Sequence, residues 1–135
     1  ETPARHPFNP IALSRLAWAA APPGETPSRH VCESVLAHAW HSGGADAEDP
    51  ARLADLRRRL APAADPAAEP VKQLLRQATD AALARGIFGV PTMEVDGRLF
   101  WGLDALPMLA ECLRGDPWFD GPWQAAGAPR PGVVR

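Results

Sequence analysis

Residues 86–92 read GIFGVPT, and this stretch marks a change in the character of the sequence. Before it the chain has helical spacing, and after it come two short segments, TMEV and RLF, that favour strands. Pro91 stands immediately before the first segment, where a proline is tolerated because no ladder donor is needed. The dipeptide Asp96-Gly97 joins the segments and suits a two-residue turn, in which both positions need φ > 0. The sequence therefore predicts a β-hairpin that starts directly after Pro91.

The backbone of Val90 is the first candidate binding element. If the Val90–Pro91 bond is cis, Val90 exposes its N–H and C=O sideways, and an extended peptide can pair with them like an added strand. Composition alone favours trans, since about 5% of X–Pro bonds in folded proteins are cis. On the residues alone, a trans proline that ends a helix-to-strand loop is the alternative interpretation.

Prolines divide the sequence upstream of this stretch into four predicted helices. Each helix begins at a dipeptide in which proline follows a polar residue, a pattern typical of helix N-termini. These dipeptides are Asn9-Pro10, Thr26-Pro27, Asp49-Pro50 and Glu69-Pro70. Gly86 fits the position just past the end of the fourth helix.

A fifth helix is predicted downstream over residues 105–114, with Asp104 as its N-cap. The tail, residues 116–135, is rich in Pro and Gly and is predicted to be irregular. A lone two-stranded hairpin is marginal in water, and the sequence offers no third strand. Because the chain also begins with Glu1 instead of Met, we expect further strands from an absent N-terminal segment or from another chain.

Composition excludes several classes of function. Of the 135 residues, 46% are hydrophobic and 22% charged, as in an ordinary soluble globular protein. The net charge of −2 argues against nucleic-acid binding. No segment approaches the roughly 20 apolar residues of a membrane span. Cys32 and Cys112 form no CxxC motif, so we expect two buried thiols in a reducing cytoplasm, with a disulfide between them as the alternative.

A metal site is a weak alternative on the second predicted helix. His38 and His41 have a spacing at which two side chains can share a metal ion. No third ligand stands at a convincing spacing, so we predict no metal and interpret these histidines as core or surface residues.

A resemblance to a known family gives these patterns a function. GIFGVPT, followed by VDG at 95–97 and FWGLD at 100–104, resembles the C-terminal signature of 2-hydroxychromene-2-carboxylate isomerases. Those enzymes are close relatives of kappa-class glutathione transferases, within the DsbA-like branch of the thioredoxin fold. The resemblance extends upstream to PFNP at 7–10 and downstream to GDPWF at 115–119, so it covers most of the chain.

The resemblance implies an α/β thioredoxin-like fold interrupted by a helical insertion domain. Residues 10–86 correspond to the insertion, and 87–115 to the closing half of the thioredoxin fold. Residues 1–9 are then a lead-in from the opening half, whose strand–helix–strand unit has no counterpart here. The chain itself is expected to be mostly α, with a C-terminal hairpin and helix before the tail.

The resemblance also implies glutathione as cofactor. Val90 matches the residue before the family's cis proline, here Pro91, and the backbone of that residue pairs with the cysteinyl part. Leu103 and Asp104 match the pair that receives the γ-glutamyl end. N–H groups at a helix N-terminus attract a carboxylate, and the Asp104 carboxylate can pair with an ammonium group. Plain N-capping is the alternative role for Asp104. Trp101 adjoins this loop and is the candidate for the substrate pocket.

The implied activity is isomerisation of an aromatic or conjugated small molecule by reversible addition of the glutathione thiolate. The family's catalytic serine, a cysteine in redox relatives, is expected upstream of residue 1, and Ser14 does not match it. Kappa-class relatives are dimers, and a homodimer is one open expectation for this chain. Two alternatives stay open: a DsbA-like thiol–disulfide oxidoreductase, and a non-catalytic binding module.

Overall fold

The structure, a computed structural model, describes residues 2–121. Residues 122–135 of the predicted irregular tail therefore lie outside the described residues. The described part contains five α-helices, one β-hairpin and two short 3-10 helices. They are α1 Ile11–Ala19, α2 Arg29–Trp40, α3 Pro50–Leu60, α4 Glu69–Ala84, β1 Thr92–Val95, β2 Arg98–Trp101, the 3-10 helix Leu103–Ala105, α5 Leu106–Leu113 and the 3-10 helix Pro117–Asp120. The chain divides into two compact units, Glu1–Ala81 and Ala82–Arg135.

The first unit packs its helices around a small apolar core. Leu13 and Leu16 of α1 meet Ala39 of α2 and Leu56 of α3, and Leu56 is completely buried. The start of α3 is as predicted, since Asp49 accepts a hydrogen bond at Oδ1 from the Arg52 backbone N–H, at 2.8 Å.

Two predicted helix starts shift along the chain. Ser28, and not Thr26, caps α2, because its hydroxyl oxygen accepts a hydrogen bond from the Val31 N–H. In α1 the N-cap position falls on Pro10, while Asn9 accepts from the Ile11 N–H at 3.0 Å. In α2 the polar side chain that reaches an open amide marks where the helix begins, whereas α1 begins after Pro10 without a side-chain cap.

His38 is a core residue of the first unit. It is buried, and its Nε2 donates a hydrogen bond to the Ala47 carbonyl oxygen at 3.0 Å. The Arg52 guanidinium donates to the carbonyl oxygens of His38 and Asp46, which fixes the loop between α2 and α3. His41, by contrast, is exposed at the end of α2.

The second unit is built on the hairpin, in which Thr92 pairs with Trp101 and Val95 with Arg98. Asp96 and Gly97 both have positive φ, 49° and 76°, so the predicted two-residue turn is confirmed. Within residues 2–121 the sheet has these two strands.

One face of the hairpin is buried. Phe100 is 1% exposed and packs against Phe119, with ring centroids 6.1 Å apart. Arg98, on the same face, donates a hydrogen bond to the Phe119 carbonyl oxygen at 2.9 Å. These contacts attach the short 3-10 helix Pro117–Asp120 to the hairpin.

The prediction that Asp104 caps the last helix is wrong. The chain first forms the 3-10 helix Leu103–Ala105, and α5 begins at Leu106 with Ala105 at its N-cap position. The Asp104 side chain makes no capping hydrogen bond. The sequence contains a reason: a cap at residue 104 would bond the amides of residues 106 or 107, and Pro107 has no N–H.

None of the helices in residues 2–121 combines the length and hydrophobicity that crossing a bilayer requires.

Candidate functional site

The candidate site lies at the open end of the hairpin, where β1 begins and β2 ends. Because Thr92 pairs with Trp101, the residues that precede Thr92 lie next to the residues that follow Trp101. Gly102 donates a backbone hydrogen bond to the Pro91 carbonyl oxygen at 2.9 Å, which joins the two segments. Gly102 has φ +82°, a conformation that suits glycine. The local fold therefore brings the predicted site residues Val90, Pro91, Trp101, Leu103 and Asp104 together.

Val90 presents an open backbone. Its peptide bond to Pro91 is cis, and the residue is 87% exposed. Neither its N–H nor its C=O forms a hydrogen bond with any described residue. The loop itself is held by Thr92, whose hydroxyl donates to the Gly89 carbonyl oxygen at 2.6 Å. One donor and one acceptor on the same residue are thus available to an extended ligand.

Leu103 and Asp104 form the other side of the site. Both are exposed, and among residues 2–121 no acceptor is found for their backbone N–H groups. The Asp104 carboxylate likewise has no hydrogen bond or ion pair with the described residues. This arrangement offers two N–H donors for an anionic group and one carboxylate for a cationic group.

An aromatic pair flanks Val90. The rings of Phe88 and Trp101 are tilted by 49°, with centroids 5.2 Å apart, and both side chains are exposed. The indole lies so close to Gly89 that a Cβ added there would be 2.6 Å from Trp101 Nε1. Sequence reasoning identified Trp101 but missed Phe88 and Gly89. The sequence pattern that could have indicated them is Gly86 and Gly89, the two glycines on either side of Ile87 and Phe88.

Other candidate residues form no site of their own in the described part of the chain. Cys32 and Cys112 are free cysteines, but the prediction that both thiols are buried is wrong, since Cys32 is exposed and Cys112 is only partly buried. Residues 2–121 hold no group of three His, Cys, Asp or Glu side chains arranged for a metal ion. Ser14 lies within α1, and no hydrogen bond joins its side chain to a described basic group.

Comparison with known families gives one match. The sequence matches the DSBA-like thioredoxin domain over residues 6–114, which is most of the chain. Neither the curated proteins nor the solved structures gave a match. A mostly helical chain with a two-stranded antiparallel sheet in its described part fits this family. The chain therefore belongs to the DSBA-like thioredoxin domain family, a fold that indicates thiol-based redox or isomerase chemistry.

Proposed function

We propose that the protein is a glutathione-dependent isomerase of the 2-hydroxychromene-2-carboxylate isomerase kind, which acts on an aromatic or conjugated small molecule. The observation that carries the proposal is the unpaired backbone of Val90, joined through the Gly102–Pro91 hydrogen bond to the turn that presents Asp104. The motifs GIFGVPT and FWGLD, which resemble those isomerases, supply the identity of the ligand.

The donors and acceptors present fit glutathione, which is an extended peptide with charged ends. Val90 would pair its N–H and C=O with the cysteinyl residue, as one strand pairs with the next. The N–H groups of Leu103 and Asp104 would receive the γ-glutamyl carboxylate, because amides at the start of a helical turn attract anions. The Asp104 carboxylate would pair with the ammonium group of the same γ-glutamyl end.

The bound tripeptide supplies a thiolate nucleophile, which adds reversibly to a conjugated carbon of the substrate. The role of this chain is to bind and orient. Phe88 and Trp101 offer exposed aromatic surface beside Val90, suited to a planar substrate ring. No residue of this sequence is assigned to stabilise the thiolate, and we propose that a serine outside it does so.

Asp104 is the residue whose substitution tests the proposal most simply. Asp104→Asn keeps the shape of the side chain and removes its charge, so we expect affinity for reduced glutathione to fall about tenfold, as for a lost charge-assisted contact. Isothermal titration calorimetry measures this affinity.

The matched control is Asp96→Asn in the hairpin turn. It removes the same charge at a position with φ 49°, which asparagine also adopts readily, and it should leave the affinity unchanged. Equal affinities for the folded Asp104→Asn protein and the unsubstituted protein would refute the assignment of Asp104.

A DsbA-like thiol–disulfide oxidoreductase is the alternative within the same family. The motif FWGLD favours the isomerase. Intact mass and N-terminal sequencing of the native protein separate the two. A serine at the start of a first thioredoxin helix supports the isomerase, whereas a CxxC motif there supports the oxidoreductase.

A further inference from the structure

A small cleft in the first unit lies between α1 and α4, and no residue of the proposed glutathione site lines it. Its volume is about 340 Å³, near the lower end for small-molecule pockets. Arg15 and Ile11 line it from α1, and Lys72, Leu75 and Arg76 line it from α4. The cleft therefore combines three cationic side chains with two aliphatic ones.

Arg15 is distinguished from the other arginines by its lack of a partner. Every other arginine in residues 2–121 forms a hydrogen bond or an ion pair with another described residue. Arg15 forms none, although its side chain is half-buried and its Nε is shielded from solvent. A shielded N–H on a charged group is unfavourable when it has no hydrogen-bond acceptor. Arg15 Nε is in this state, since no described residue accepts its hydrogen bond.

Neither Asp80, which lines the cleft, nor Glu69, which pairs with two of its lining residues, supplies that acceptor. Glu69 is shared between Lys72 Nζ and an Arg76 guanidinium nitrogen, each at 3.5 Å. Asp80 forms no ion pair with Arg15. Among the described residues, Arg15 is therefore the cation of this cleft that no carboxylate neutralises.

We propose that this cleft binds a small organic anion, whose carboxylate or phosphate group lies against Arg15. A guanidinium is planar and rigid, and it can donate two parallel N–H hydrogen bonds to either a carboxylate or a phosphate. Lys72 and Arg76 add positive charge on the α4 side. Ile11 and Leu75 provide the apolar surface that a hydrocarbon portion of the ligand would contact.

The test is a titration of the ¹⁵N-labelled protein with inorganic phosphate at constant ionic strength, followed through the Nε–Hε resonance of Arg15. We expect a saturable shift of this resonance and of the amides of Ile11 and Leu75. Arg15→Gln should weaken binding about tenfold, as for loss of a charge-assisted pair. Arg58→Gln, which removes an exposed arginine paired with Asp55 on α3, should titrate like the unsubstituted protein.

A comparison of benzoate with phosphate distinguishes a carboxylate ligand from a phosphate ligand, and a second variant is available in case the first does not fold. Tighter binding of benzoate than of phosphate identifies a carboxylate ligand with an apolar body, and the reverse order identifies a phosphate. If Arg15→Gln unfolds the protein, Lys72→Gln takes its place, and its affinity should fall several-fold. The proposal is wrong if neither phosphate nor benzoate shifts these resonances more than chloride does, or if the folded cleft variants titrate like Arg58→Gln.

Discussion

The indole of Trp101 packs directly on Gly89, and this contact shapes the aromatic side of the candidate site. Gly89 does not have a positive φ, so its backbone conformation is open to other residues. The close approach of the indole is what requires glycine here, because a Cβ would meet Nε1 at 2.6 Å. Phe88 precedes this glycine and packs against the same indole in a tilted arrangement.

Gly89→Ala should displace the indole and lower the free energy of unfolding by about 1 kcal/mol, the lower end for overpacking. The lower end applies because Trp101 is 53% exposed and can swing outward. Urea denaturation measures the change, and the indole N–H resonance in an NMR spectrum reports the displacement. In a Trp101→Leu background the same substitution should have little effect. An equal loss of stability in both backgrounds would show that the contact is not the cause.

In α2 and α3 a polar residue that reaches an open amide marks the N-terminus of the helix. The sequence identifies Asp49 correctly because its proline follows at once and the Arg52 amide lies within reach. It misplaces the start of α2, since Thr26 and Ser28 both resemble caps and local pattern does not decide between them. It also misassigns Asp104, because the prediction overlooks that Pro107 lacks one of the N–H groups that a cap at residue 104 would bond.

The two aspartates should therefore differ in their contribution to stability. Asp49→Ala removes a capping hydrogen bond and should lower the free energy of unfolding by about 1 kcal/mol. Asp104→Ala removes no hydrogen bond in the described structure, and the change should stay within about 0.5 kcal/mol. Chemical denaturation of both variants compares them. A loss at Asp104 as large as that at Asp49 would restore the capping role and weaken the case for a ligand-binding carboxylate.

The register of the hairpin determines which residues meet at the candidate site. A two-residue turn at Asp96-Gly97 places Val95 opposite Arg98, and counting outward places Thr92 opposite Trp101. The meeting of the Val90 loop with the turn around Asp104 was therefore predictable from the sequence. The contact between Phe88 and Trp101 could not be predicted from the sequence, because it depends on how the loop folds back over the strand.

For the molecule as a whole, the family assignment rests on residues 6–114 and agrees with the fold expected from the sequence. Contacts between residues distant in sequence were beyond pattern reasoning. The cleft at Arg15 is an example, since α1 and α4 are separated by two other helices. The second unit carries several exposed apolar side chains around a two-stranded sheet: Phe88, Val90, Trp101 and Leu103. Because such a sheet is marginal in water, we propose that further strands come from a segment outside this sequence or from another chain.

The measurement that tests the central claim most directly is an amide-resolved NMR titration of the protein with reduced glutathione. We expect the largest shifts at Val90, Leu103 and Asp104, whose N–H groups have no described acceptor. The amides of Asp96 and Gly97, at the opposite end of the hairpin, should remain unmoved. If millimolar glutathione shifts the first group no more than the second while the protein stays folded, glutathione does not bind at this site and the proposed function is wrong.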